Sequence, residues 1–540
     1  VVKHGGTYMA TRIQTLRHKF SGGWATDFGT NADVAIAQDG LIQVPFLVDA
    51  ENVFYELDGG PRKIGGTEKV NTSVLESGAV VRGVYDFWRQ GALGSPTRRR
   101  IAAVSDKILS DTDDGTFTTT LASGWNTTAV PNFSTFDDIL IMANDSTTDV
   151  PRSWDGTTAQ SLAGTPPRFS FSTTHYGRQF AAGDYANPST LYYTTAYNPE
   201  DWTGSGSGSI LIEPNDGDMI TGIASYKREL WIFKGPNKGS INRLTGSAPA
   251  SFALEPFVKS GLGAAWQNSI FQYKDDLGFV SQYGTIHSLT ATASYGDFNE
   301  GALSLPIHKW ISEHMNFNRL RHITAVNNPQ EGYVLFTISV DASTTNNTVL
   351  MMDYRDSRPG LPRIRWAQWT AIKAGSMGLF VDTNGKRRIV LGGNDGFVRR
   401  SNVATRSLDG TTAIAAKVTL PFLNYGNSML KKTLYNGSIG IAPKGNYTAT
   451  FGWTRDDNAQ QTTTVTQGGG DVLGPASENE FTLGTSTLGG ALFVDRYMDL
   501  TEAGEFRNIQ YQLTQSGAGE DLECHSLNVS IKGGSMSLEN

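Results

Sequence analysis

Two octapeptides of this 540-residue chain, Arg-Ser-Trp-Asp-Gly-Thr-Thr-Ala from Arg152 and Arg-Ser-Leu-Asp-Gly-Thr-Thr-Ala from Arg406, differ at one residue and stand 254 positions apart. A repeated Asp-Gly loop could deliver an acid to a reacting group, or it could be a recurrent bend. Asp hydrogen-bonds its own backbone and Gly supplies positive φ, so the pair predicts a structural corner. Asp111, Asp113 and Asp114 have the look of calcium ligands, but Gly115 comes one place too early for an EF-hand and no distal Glu completes the loop. Asp216 and Asp218 could hold calcium through oxygen ligands, but the stretch is expected to be a plain turn. Arg98, Arg99 and Arg100 could meet a substrate carboxylate, except that consecutive strand residues point to opposite faces and do not converge. His308 and His314 stand six apart, which does not put both on one helical face at a metal-ligand spacing. Neither a Walker loop nor a Gly-x-Ser-x-Gly elbow occurs, and Gly-Ser-Gly-Ser-Gly-Ser at 204–209 has no strand-to-helix context. The expectation is no catalytic, cofactor-binding or metal-binding residue, no cofactor and no enzymatic activity.

The elements around these residues read as β. Gly is 60 of 540, and Thr, Ser and Asn recur between short apolar runs, as in chains of strands and tight turns. Taking Ile101, Ile139, Phe180, Leu230, Leu277, Val334 and Ile389 as markers, six intervals cover 288 residues, a mean of 48. That period fits a four-stranded sheet that must pack on its neighbours, and it predicts a β-propeller of six to eight blades. Asn384-Gly385 and Asp58-Gly59-Gly60 are hairpin signals. One helix is predicted from Pro306, with Ile307, Trp310, Ile311 and Met315 on one face. From about 409 longer alternating strands predict an antiparallel β-sandwich, with an exposed loop over 466–480. The expected domains are an extended N-terminal arm with entry strands over 1–78, the propeller over 79–408 and the sandwich over 409–540.

Formal charge is −7, and residues from Asp409 onward supply −6 of it through 8 basic and 14 acidic residues. Lys3, Arg12, Arg17 and Lys19 make the start basic, an arm that could dock on a partner. No apolar stretch reaches membrane-spanning length and no secretory signal is visible; Met9 is a candidate native start. The single cysteine, Cys524, excludes an internal disulfide. The excursion from Asp341 to Trp369, with Met351, Met352, Trp366 and Trp369, offers either a contact surface or core filling.

The run from Phe20 to Asn71 resembles the opening of the tail hub and nozzle (tail tubular) proteins of short-tailed bacteriophages. The residues that carry the likeness are Gly22-Gly23, Asn52-Val53, Gly59-Gly60, Arg62-Lys63 and Gly66-Thr67. The likeness continues through the stretches beginning at Ser153, His175 and Asp275. It implies a structural virion protein, made in the bacterial host cytoplasm and placed in the tail. There a homo-oligomeric ring, usually of six copies, extends and closes the DNA ejection channel. Its implied partners are adaptor and portal-proximal tail proteins, tail fibres, and double-stranded DNA that passes without sequence-specific binding. The Asp-Gly corners also resemble the Asp-box of sialidase propellers, which leaves open a glycan-binding or glycan-hydrolysing β-propeller of sialidase-like architecture.

Overall fold

A computed structural model of the chain describes residues 14–20, 22–27, 31–32, 41–43, 46–57, 59–91, 96–111, 115–258, 261–290, 292, 302–355, 364–382, 385–425, 429–456, 458–467, 494–500 and 504–533. Lys3, Met9, Arg12, Asp58, Asp113, Asp114, Asn384 and the loop positions 468–480 lie outside the described residues. The chain forms two compact units, Glu68–Leu350 with Ile372–Ser401, and Val1–Thr67 with Met351–Ala371 and Asn402–Asn540. Neither unit is one continuous stretch, so the three consecutive domains expected over 1–78, 79–408 and 409–540 are corrected. Strand pairing between residues far apart in sequence, described below, is the reason.

The first unit is a β-propeller. Among the described residues seven antiparallel groups of strands follow one another as blades, with innermost strands Val81–Arg89, Pro131–Phe136, Phe171–His175, Met219–Tyr226, Ile270–Tyr273, Thr324–Asn328 and Ala374–Val381. The inner strands of the seventh and first blades pack together, which closes the ring. The fourth and fifth blades are joined through Gln267, whose amide accepts from Ile223 N at 2.7 Å and donates to Ile223 O at 2.9 Å. Inner-strand glycines permit this crowding: a Cβ on Gly83 would stand 2.6 Å from Pro131 Cγ, and one on Gly222 2.4 Å from Ile270 Cδ1. The seventh blade takes its fourth strand, Gly66–Lys69, from ahead of the first. There Val70 N–H donates to Val398 O at 2.7 Å and Glu68 pairs with Arg400 at 3.0 Å. Among the described residues the fifth blade has three strands and a bridge between His287 and Ala302.

The core lies between blades, and this explains the apolar runs. On Ile139–Asn144, Leu140 and Met142 join Phe87, Ile101 and Trp154, while Ile141 and Ala143 join Phe169, Ala181 and Trp202 on the opposite face. On Glu229–Gly235, Leu230 and Ile232 face the third blade and Trp231 and Phe233 the fifth. A strand covered on both faces cannot alternate, so it reads as continuous hydrophobicity.

Both octapeptides are β corners. The first connects Arg152–Trp154 to Ala159–Ser161, and Asp155 Oδ1 accepts from Thr157 N at 2.8 Å and Thr158 N at 2.6 Å, with Gly156 at φ 90°. The second joins Ser407–Leu408 to Thr412–Ala413 through a loop shorter by one residue, with Asp409 at φ 50°. Its Asp409 accepts from Thr67 Oγ1 at 3.1 Å, so the same letters bend differently according to what Asp can reach. The expected helix is present as a turn, Leu305–Ile307, leading into His308–His314, with Ile307, Ile311 and Met315 buried.

The second unit is a β-sandwich. One sheet orders Leu41–Gln43, Gln14–Lys19, Cys524–Gly533, Lys432–Ile441 and Val494–Asp499. The other holds Gln461–Thr466, Thr448–Arg455, Ile509–Gln515, Ala416–Thr419, Asp49–Glu51 and Arg365–Trp369. Residues 14–19, expected in an extended arm, form a paired strand in which Leu16 lies opposite Val529. Leu16, His18 and Phe20 point inward and Thr15, Arg17 and Lys19 outward, the period of a half-buried strand. Met351, Met352, Trp366 and Trp369 are all buried, so they fill core and offer no contact surface. Cys524 is a free, buried thiol, its pKa pushed up by burial.

Candidate functional site

The inner strands that close the propeller leave a cavity of about 280 Å³ where those of the first, second, sixth and seventh blades begin. A smaller cavity of about 200 Å³ continues along the inner strands and shares Arg82 and Thr324 with it, so the pair marks the axial channel and its mouth. Arg82 comes from the first inner strand, and Arg319, Arg321 and His322 from the turn Phe317–His322 that leads into the sixth blade. Thr127, Thr128, Thr324, Thr344 and Thr345 complete most of the wall.

Each cation is held differently. Arg82 donates through its two terminal nitrogens to the carbonyls of Ala129 and Ser105, which fix it without neutralising it. Burial lowers its pKa, with Asp145 and Asp149 opposing. Arg319 donates from Nε to Ser339 Oγ at 3.0 Å, and its pKa is lowered by burial and by Arg321. Arg321 lies 3.4 Å from Asp145 Oδ2, a contact without hydrogen-bond alignment, and stands beside Tyr185. Asp145 is buried, accepts from Val130 N at 2.5 Å, and has its pKa raised by desolvation. Burial, then Arg319, Arg321 and Arg82, push His322 down to about 3, so its ring is neutral near pH 7. The arrangement is a concave, partly dehydrated set of fixed positive charges and hydroxyls, suited to holding an anion. Sequence reasoning passed over these residues, because 237 positions separate Arg82 from Arg319 and no spacing rule joins them; the one local signal is the cluster Arg319-Leu320-Arg321-His322.

The residues weighed from sequence lie elsewhere. Arg98 binds Asp86 through two bonds, Nε–Oδ1 at 2.6 Å and Nη2–Oδ2 at 2.8 Å, Arg100 lies 3.4 Å from Asp111 Oδ2, and Arg99 donates to Arg98 O, so the three do not converge. The position between Asp216 and its neighbours is filled by the wholly buried ammonium of Lys234. It donates to Asp216 Oδ2 and Glu213 O at 2.7 Å, Ile212 O at 2.9 Å and Ser189 Oγ at 3.2 Å. Asp218 accepts from the backbone N–H groups of Asn237, Lys238 and Gly239, so this stretch is a turn. His308 is exposed, and His314 bonds Asp341 Oδ1 at 3.1 Å. Among the described residues no group of three His, Cys, Asp or Glu could hold a metal, and no helix is long and apolar enough to cross a membrane.

The N-terminal motif residues sit at the tightest points of the sandwich. Gly23 has φ 76°, and a Cβ there would lie 3.1 Å from Arg365 Cβ. Asn52 holds φ 54° while its side chain bonds Ala415 O at 2.8 Å, Thr370 Oγ1 at 3.2 Å and Ala371 N at 3.0 Å. A Cβ on Gly60 would stand 2.6 Å from Cys524 O, and one on Gly66 2.0 Å from Ser407 O. Arg62 pairs with Asp521 at 2.6 Å and Glu56 at 3.0 Å, and buried Lys63 donates to Gln515 Oε1 at 2.6 Å and Gly517 O at 2.8 Å.

No family model matches the chain, and no curated protein matches it either. Among solved structures it is similar to a chain of the mitotic checkpoint complex, with 10% identity over 62% of this chain and 94% of that one at a TM-score of 0.38. Raptor from Chaetomium thermophilum shares 11% identity over 65% of this chain and 29% of that one, also at 0.38. An exo-β-1,3-galactanase from Phanerochaete chrysosporium, solved with galactose, shares 9% over 87% of this chain and 100% of that one at 0.28. Similarity this distant assigns no activity to the chain.

Proposed function

We propose that this chain is a structural, non-enzymatic protein of a phage tail, forming a closed homo-oligomeric ring of six copies that extends the DNA ejection channel below the portal and adaptor. The observation that supports it is the geometry of the resemblance: Gly23, Asn52, Gly60, Arg62, Lys63, Gly66 and Thr67 stand where backbone crowding, positive φ or a buried charge leaves few substitutes. A likeness carried by such positions has more weight than one carried by exposed turns. The charge balance suits a conduit. A net positive wall would grip phosphates through counterion release, whereas a chain of net charge −7 lets duplex slide. In the virion the ring meets adaptor proteins above and fibres around it.

The test is the mass of the purified assembly. One species containing six 58.5-kDa chains, without turnover of glycans, supports the ring. A stable monomer that cleaves an acidic glycan replaces it with the second reading, a glycan-acting propeller, which the cationic axial pocket favours.

A further inference from the structure

We infer that the axial pocket of the propeller binds a small oxyanion, a phosphate or carboxylate group on a compact ligand, between Arg82, Arg319 and Arg321. This goes beyond the ring and stands without it. Arg82, Arg319 and Arg321 all line one cavity, and the carboxylates that oppose their charge are Asp145 and Asp149, which leaves the set cationic. Arg82 is bound by two neutral carbonyls and Arg319 by a hydroxyl, and the buried Nε of Arg82 has no hydrogen-bond partner. Arg321 faces Asp145, one of whose oxygens is already used by Val130 N–H. Guanidinium forks bind the oxygens of carboxylate or phosphate in pairs, and threonines line the rest of the wall. A volume of about 280 Å³ accepts such a group with a body about the size of one sugar ring.

His322 reports occupancy. Its ring faces Arg319 and Arg321 on its own turn and Arg82 from the first blade, with Asp145, Asp149 and Tyr185 near those arginines. Burial is the larger reason the ring stays unprotonated and the guanidinium field the smaller one; an oxyanion offsets that smaller part, so the His322 pKa rises on binding and affinity strengthens as pH falls toward it.

The experiment is calorimetric titration of the full chain with inorganic phosphate and with glucuronate, and with sulfate, which does not titrate in the range, for the pH arm. Saturable binding at one site per chain is expected, the tighter of phosphate and glucuronate naming the source of the group. Arg319→Gln and Arg321→Gln should each weaken it by about tenfold. Arg243→Gln, on an outer strand of the fourth blade, should leave it unchanged. Arg321 is 47% exposed at its side chain, so its variant folds and decides the matter if Arg319→Gln does not. Sulfate should bind more tightly at pH 4 than at pH 7, with the His322 ring signals moving on addition. No saturation by about 10 mM of any probe, or equal binding in the Arg319→Gln, Arg321→Gln double variant, overturns the inference. Ring mass is measured separately, so failure here leaves that reading standing.

Discussion

His18 is where acid can enter the sandwich core. It is fully buried, bonds Tyr425 Oη at 3.0 Å, which bonds Tyr511 Oη at 3.1 Å, and its Nδ1 has no hydrogen-bond partner. Burial lowers its pKa from 6.5 to about 3. The folded state then binds fewer protons than the unfolded one between those values. Its contribution, about 5 kcal/mol at most, is complete above pH 6.5 and is lost as pH falls toward 3. His18→Phe should lessen the drop in unfolding temperature between pH 7.5 and 4.5, measured by circular dichroism. Asn52→Ala removes three side-chain bonds and a residue tolerant of φ 54°, and should cost about 2–4 kcal/mol in denaturant unfolding. At this scale the sequence exposed Asp-Gly corners, whose chemistry is local. It hid the arginine pocket, whose members come together only once the ring is closed.

Strands and turns were more readable. The blade period survives in sequence because each blade repeats the same burial problem, and strands such as Glu229–Gly235 announce themselves by apolar runs. The inner hairpins escaped, since several use two-residue turns without the Asn-Gly signal: Asp137-Asp138 at φ 46° and 66°, and Lys227-Arg228 at φ 47° and 66°. Tertiary packing imposes that conformation on residues that resist it. Replacing Lys227-Arg228 by Asn-Gly should relieve the strain and stabilise the propeller by about 1 kcal/mol, read from the denaturation midpoint. Lys234→Met removes an internal cation and leaves the carbonyls of Ile212 and Glu213 unpaired, so it should destabilise by about 3 kcal/mol or more. Calcium should leave the melting temperature of the native chain unchanged, because the ammonium already occupies that place.

At the scale of the whole molecule, sequence order misled. Residues 14–19 pair with Ser526–Ile531, and Arg62 pairs with Asp521 more than four hundred positions away, so neither a local period nor charge counting could place the N-terminal stretch in the sandwich. Deleting residues 1–20 should therefore unfold that unit, seen as rapid proteolysis of the sandwich segments, where removal of a docking arm would leave both units intact. A further consequence follows for biosynthesis. The ribosome makes Leu16, His18 and Phe20 long before the partners that cover them, and at ~5–20 residues per second the wait lasts on the order of tens of seconds. During translation the propeller can close while this edge stays uncovered, so productive yield should depend on chaperones that shield the nascent N-terminus.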